Sequence, residues 1–264
     1  MNILALETTG KYGSASVLKD GEQAVLVTSE NEMNHLKDVI SMSAAALDQA
    51  GIGKKDITHL AASIGPGSFT GIRIGVTSAR TLAQMLEVPC VAVSSLEGME
   101  YRVEDEAIDN NCAMILAIIN ARRNQTYAGL WKVGYDVDTT TTVSESIAEE
   151  KQYMIDEILN IAKEKLDAIN SDENETAYKL LITGDGVDAY REIIEEVLAE
   201  DSYILADEEL RYQSADAVAE LAAFSIKADN CVDYRELMPE YMRLSEAEQR
   251  LKEGTLSSKI SKLK

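Results

Sequence analysis

A chain of 264 residues with 45% apolar side chains can bury a sizeable core, and at roughly 100 to 200 residues per domain it makes one large or two modest domains. Its 46 acidic against 25 basic residues give a formal charge of −21, a field that repels nucleic-acid phosphates and excludes unaided DNA or RNA binding. No apolar run approaches the ~18 residues of a membrane span and MNILALE carries no basic leader, so a cytoplasmic protein without membrane contact is expected.

Apolar alternation and β-branched residues predict strands at 2–7, 13–18 and 22–28, a helix at 34–50, a strand at 59–64, a helix at 69–87 and a strand at 90–94. The acidic stretch EYRVEDEAIDNN, residues 100–111, reads as a hinge. The pattern then restarts with strands CAMILAII and QTYAGLWKV, a weak third near 137–143, a helix at 147–168, the strand KLLITG, a helix at 187–200 and the short strand SYIL. The same β-β-β-α-β-α-β order occurs twice, which argues for two α/β lobes. The division expected is an N-terminal lobe over 1–104, a C-terminal lobe over 105–232 whose last helix, 214–228, packs back on the first lobe, and an extension over 233–264. From Arg243 onward six basic and three acidic residues reverse the charge of the body, as either a frayed helix or a docking arm. The acidity of the body itself serves solubility or a basic partner.

Three cysteines, Cys90, Cys112 and Cys231, form no CxxC pair, and two lie in strand-like runs, so neither a disulfide nor a zinc site is expected. His35 and His59 are the only histidines, 24 positions apart and in no H-E-x-x-H pattern.

One stretch, SIGPGSFTGIRIGVTSAR over 63–80, has the punctuation of a phosphate-binding turn. Gly65 and Gly67 permit close backbone approach, Pro66 fixes one φ, and Ser68 or Thr70 can cap the helix that follows. It fits neither common nucleotide motif. A P-loop needs Gly five residues after Gly65 and then Lys, but Thr70, Gly71 and Ile72 follow instead; the Rossmann pattern meets Thr70 at its third glycine. Pro66 also spoils any G-x-S-x-G nucleophile elbow around Ser68. Within the helix, Gly71, Gly75, Ala79 and Ala83 lie four apart on one face. Glycine inside a helix costs roughly 0.5–1 kcal/mol against alanine, so something must pack closely there: the protein's own sheet, or a helix of another chain. His35, Leu36, Ile40 and Ser43 give the 34–50 helix a comparable face, and the two helices together are the expected partner-binding surface.

The run G-P-G-S-F-T-G-x-R-x-G from Gly65 to Gly75, the segment Val88 to Glu97 and PEYMR at 239–243 resemble the TsaB family of tRNA threonylcarbamoyladenosine biosynthesis. That resemblance implies an actin-like ATPase fold of the sugar kinase, Hsp70 and actin class, in agreement with the duplicated strand order. It implies a non-catalytic subunit that binds TsaD, with TsaE joining the pair. TsaD transfers threonylcarbamoyl to the adenosine beside the anticodon of tRNAs that read codons starting with A. A homodimer is expected when the chain is alone. TsaD-like proteins carry H-x-E-G-H as a metal site; here the matching stretch is SLEGM, Ser95 to Met99, which cannot hold that ion. Relatives read D-T-S and D-A-R at the ends of the first strand of each lobe, where this chain has Glu7-Thr8-Thr9 and Asn120-Ala121-Arg122. Gly184, Asp185 and Gly186 match the adenosine-side loop of the fold or form an ordinary αL turn. With Glu7, Thr8, Gly65, Gly67, Ser68, Asn120 and the Gly184–Gly186 loop read as a vestigial nucleotide site, the expectation is no catalytic residue, no metal and at most weak ATP or ADP binding. The alternative is a sugar-kinase-like phosphotransferase or ATP-binding protein of the same fold.

Overall fold

The computed structural model describes residues 1–22, 24–30, 35–136, 141–171 and 177–242, apart from the side chains of 35, 135, 136 and 141–143. The basic tail from 243 and part of the weak third strand lie outside the described residues. In the first lobe, β1 (Asn2–Glu7), β2 (Ser14–Lys19), β3 (Val25–Thr28), β4 (His59–Gly65) and β5 (Cys90–Ser94) form a sheet in the order β3-β2-β1-β4-β5. The apolar run of β1 becomes the central strand, buried from Ile3 to Glu7, antiparallel to β2 and parallel to β4. In the second lobe, β6 (Cys112–Asn120), β7 (Gln125–Asp136), β8 (Thr141–Met154), β9 (Lys179–Thr183) and β10 (Tyr203–Leu205) take the order β8-β7-β6-β9-β10. Both sheets have one topology, the duplicated α/β core expected of the actin-like class.

Helices cover both faces of each sheet. α1 (His35–Gln49) and α2 (Phe69–Leu86) lay Val39, Met42, Ile72 and Val76 on Leu4, Leu6 and Leu60. α8 (Ala215–Lys227) covers the opposite face, packing Val218, Ala219 and Ala222 on Ile3, Ala5, Ala61 and Val91. Its first amide is held across the chain, with the N–H of Ala215 donated to Ser14 Oγ at 3.0 Å. On the second sheet, α5 (Ile155–Asn170), α6 (Gly186–Ala189) and α7 (Arg191–Val197) share one core. The opposite face is filled by α3 (Ser95–Tyr101) and α4 (Glu104–Asp109).

The region expected to be a hinge is therefore α4 and the end of α3. Its apolar Val103 and Ala107 are fully buried against Ile115 and Leu181, while of the acidic residues between them Asp105 is exposed and Glu104 and Glu106 are half-buried. Residues 147–154, expected to open a helix, extend β8 instead, because they pair with β7 from Ala148 opposite Leu130 to Met154 opposite Gln125. Tertiary pairing overrides local preference there. The helix expected over 187–200 breaks at Tyr190, whose φ of −121° is not helical. After α8 a strap crosses back: Val232 bridges Cys90, Leu237 is fully buried in the first lobe, and Glu240 donates its N–H to Ile64 O at 2.9 Å. Met242 then packs against the cluster containing Leu96 and Trp131.

Candidate functional site

Two places collect the residues singled out by sequence: the cleft between the lobes and the outer faces of α1 and α2. The cleft has a volume of about 610 Å³. The first lobe contributes the turn after β1 (Thr9, Gly10, Lys11) and the start of α2, and the second contributes Asn120, Arg122, Tyr127 and Asp185. Ser68 caps α2, its Oγ accepting the N–H of Gly71 at 3.2 Å. The turn before the cap is tight because Gly65, at φ +123°, has the carbonyl of Glu240 where a Cβ would stand. Gly67 and Ser68 reach the cleft; Glu7, Thr8, Gly65, Gly184 and Gly186 lie behind its wall.

Glu7 explains much about this site. Its carboxylate points into the first lobe, 1% exposed, where it accepts the N–H of Thr9 and the Thr9 hydroxyl at 2.6 Å. Thr9 Oγ1 lies 2.9 Å from Ser95 Oγ, which lies 2.8 Å from Ser63 Oγ. Burial pushes the Glu7 carboxyl above its ordinary range, opposed by hydrogen bonds from Thr9 and Ser63. The carboxylate is thus committed to a closed hydroxyl network. Asn120 is committed as well: its Oδ1 lies 2.8 Å from the N–H of Arg122, which donates to it, and accepts the Tyr190 hydroxyl at 2.8 Å. Its own N–H is donated to Asp185 Oδ1 at 2.9 Å, which brings the Gly184–Gly186 loop to the end of β6. Burial raises the Asp185 carboxyl, and the Asn120 amide lowers it.

The SLEGM stretch forms the first helical turns of α3. Ser95 is buried in the hydroxyl network, and Met99 is buried with Leu96, Ala117, Ile119 and Trp131. Neither side chain offers an imidazole. Among the described residues no three His, Cys, Asp or Glu side chains converge as a metal set.

The small-residue stripe does not face a partner. Gly71, Gly75, Ala79 and Ala83 are buried within the first lobe, and a Cβ on Gly71 would run into the carbonyl oxygen of Thr8. A Cβ on Gly75 would meet the Thr8 hydroxyl, which itself donates to Gly71 O at 2.7 Å. The close approach is with the protein's own β1 turn, so these four residues and Ser43, which is buried with its hydroxyl on Val39 O, are corrected to structural positions. Leu36 and Ile40 are exposed, at 73% and 58%, one turn apart on α1, and Met85 at the end of α2 is 75% exposed. The side chain of His35 lies outside the described residues. Met85 was missed because a methionine at helical spacing reads as core. Arg122 closes the second strand-end motif and Lys11 lies two residues beyond the first, so both are findable from that adjacency; Gln213, packed against Gly10, has no local signal.

A family model described as TsaD, tRNA N6-adenosine threonylcarbamoyltransferase, matches residues 27–251. The chain belongs to this family. Within the family, its similarity runs along almost the whole chain to TsaB of Bacillus subtilis (strain 168), with 29% identity over 94% of this chain and 96% of that one. TsaB of Escherichia coli (strain K12) is 34% identical over 48% of this chain and 53% of its own. A tRNA N6-adenosine threonylcarbamoyltransferase of Clostridioides difficile (strain 630) is 31% identical over 36% of this chain and 33% of that one. The solved structure of YeaZ from Pseudomonas aeruginosa superposes with a TM-score of 0.69 at 22% identity, covering 91% of this chain and 99% of that one, and so shares the fold. These similarities bear out the resemblance carried by the GPGSFTG segment.

Proposed function

We propose that this member of the TsaD family is a non-catalytic subunit in tRNA threonylcarbamoyladenosine biosynthesis. In this reading it docks a TsaD enzyme through the outer faces of α1 and α2, and TsaE joins that pair in the cytoplasm. The observation that carries it is the exposed apolar set Leu36, Ile40 and Met85 on the two helices, in a chain where most large apolar side chains among the described residues are buried or half-buried. Similarity to TsaB over 94% of the chain supports the pathway. The absence of chemistry from this chain is supported by three commitments: Glu7 turned inward, Asn120 holding a β-turn, and Ser95 and Met99 in the core. With no partner present, the same apolar stripe would pair with a second copy of the chain.

Size-exclusion chromatography with light scattering, on the chain alone and mixed with TsaD from the same organism, tests this directly. A homodimer that exchanges into a one-to-one complex is expected, and Leu36→Glu with Ile40→Glu should abolish both associations while the far-ultraviolet spectrum stays unchanged. A wild-type chain indifferent to TsaD would end this reading.

A further inference from the structure

A different edge of α2 carries features that the Leu36–Ile40 stripe does not use and that meet the cleft only at Phe69. Phe69 and Tyr241, each 41% exposed, have ring centroids 4.8 Å apart, and the Arg73 guanidinium sits 3.9 Å from the centre of the Phe69 ring. Arg73 Nε is donated to the Tyr241 hydroxyl at 2.9 Å, which fixes the side chain and leaves its outer nitrogens unoccupied by any carboxylate among the described residues. Two turns on, Arg80 Nη1 reaches Met238 Sδ at 3.5 Å, and Met238 is 57% exposed. The strap therefore lays Met238 and Tyr241 beside two arginines that are about 10 Å apart along the helix.

In a chain with 46 acidic and 25 basic residues, neither arginine has an ion pair among the described residues; Arg122 and Arg123 share that lack, whereas Arg102, Arg191, Arg211 and Arg235 are each paired. What sets Arg73 apart is that it is held against aromatic rings. Held guanidinium groups framed by exposed Phe, Tyr and Met have the composition of an interface centre, and they lack only their counter-ions. The net charge of −21 works against a polyanion such as RNA, but only weakly against a few carboxylates on a folded surface of mixed charge.

We infer that the face formed by Phe69, Arg73, Arg80, Met238 and Tyr241 is a second docking surface, which receives Asp or Glu side chains of a protein partner. It rests on the proposed function, the partner being the catalytic subunit of that complex. Arginine stacked on an aromatic ring loses little further freedom when a carboxylate arrives, so the contact contributes to affinity with small ordering cost.

Titration calorimetry at low and high salt, with TsaD from the same organism, tests it on the full chain. Arg73→Gln with Arg80→Gln should weaken binding at least tenfold at low salt and flatten the salt dependence seen with wild type. Arg73→Lys with Arg80→Lys should recover part of the loss. Lys54→Gln with Lys55→Gln, the same charge change on an exposed turn elsewhere, should alter affinity less than twofold. Equal effects of the two glutamine pairs, or no effect of either, would overturn the inference while leaving the proposed function standing. Unchanged affinity for TsaD together with loss of tRNA from the assembled complex would also overturn it, since the anion would then be phosphate. If wild-type chain and TsaD do not associate at all, the proposed function fails first and takes this inference with it.

Discussion

At Gly71 the backbone of α2 touches the backbone of the β1 turn, and no side chain larger than hydrogen fits between them. Gly71→Ala must push against the Thr8 carbonyl, which is held in the core and cannot rotate away. The expected cost is about 2–3 kcal/mol of overpacking strain, measurable as a lower urea midpoint with unchanged slope. Gly75→Ala presses on the Thr8 hydroxyl and should cost less, because a side chain can adjust. Glu100 is the opposite case, a charge-bearing group placed where water cannot reach. It is 4% exposed, one oxygen has no hydrogen-bond partner among the described residues, and burial pushes its carboxyl up to about 8, with the negative neighbours Glu104 and Glu97 adding to the effect. A folded value above the unfolded one means that its contribution is fully present below the unfolded value near 4.5 and is lost as pH rises through 8. Glu100→Gln should therefore raise stability at pH 9 by roughly 1–2 kcal/mol and change little at pH 4, which thermal melts across that range would show.

The elements are joined by single polar residues more than by loops. Ser94 ends β5 and caps α3, its Oγ accepting the N–H of Leu96 at 3.1 Å while donating to Glu150 Oε2 of β8 at 2.5 Å. One hydroxyl thus closes a helix start and links the two lobes. Ser94→Ala should cost about 1 kcal/mol for the cap alone, and more above pH 7, where its partner Glu150 is ionised. Burial pushes the Glu150 carboxyl up to about 7, with Glu97 and Glu240 adding to the effect, so removing the Ser94 hydroxyl leaves it still harder to ionise. Chemical denaturation of Ser94→Ala at pH 6 and pH 8 checks both parts, and a larger loss at pH 8 is expected. β8 shows the limit of reading elements from local pattern. Ile147 to Met154 could propagate the α5 helix backward by about two turns, but β7 offers an edge that this would leave open, and pairing with it satisfies backbone groups on both strands.

Over the whole molecule, two lobes of one topology enclose a cleft of about 610 Å³ with Lys11 and Arg122 among the residues that line it; of the groups a hydrated magnesium ion would use there, Glu7 is buried in its hydroxyl network, Asn120 carries no charge, and Asp185 accepts the Asn120 N–H. Calorimetry with ATP and magnesium is expected to give no saturable heat below about 1 mM ligand, a Kd weaker than corresponds to ~4 kcal/mol. A micromolar Kd would favour the phosphotransferase alternative. Much of this architecture is legible in the sequence, because β-β-β-α-β-α-β occurring twice leaves few ways to bury the apolar runs. The proposed partner face is only half legible. Leu36 and Ile40 stand out by spacing, but the glycine stripe announces close contact without saying with what.

Composition, strand order and the GPGSFTG segment by themselves determined the class of the fold, the family and the absence of paired histidines, since each depends on which residue types occur and in what order. Tertiary structure alone decided that the stripe meets Thr8, that Glu7 turns away from the cleft, and that Arg73 is held between Phe69 and Tyr241, a residue 168 positions later. Periodicity reveals that a face is buried or bare. Only the path of the whole chain decides which distant atoms arrive there, because those contacts depend on where separate elements come to rest against one another.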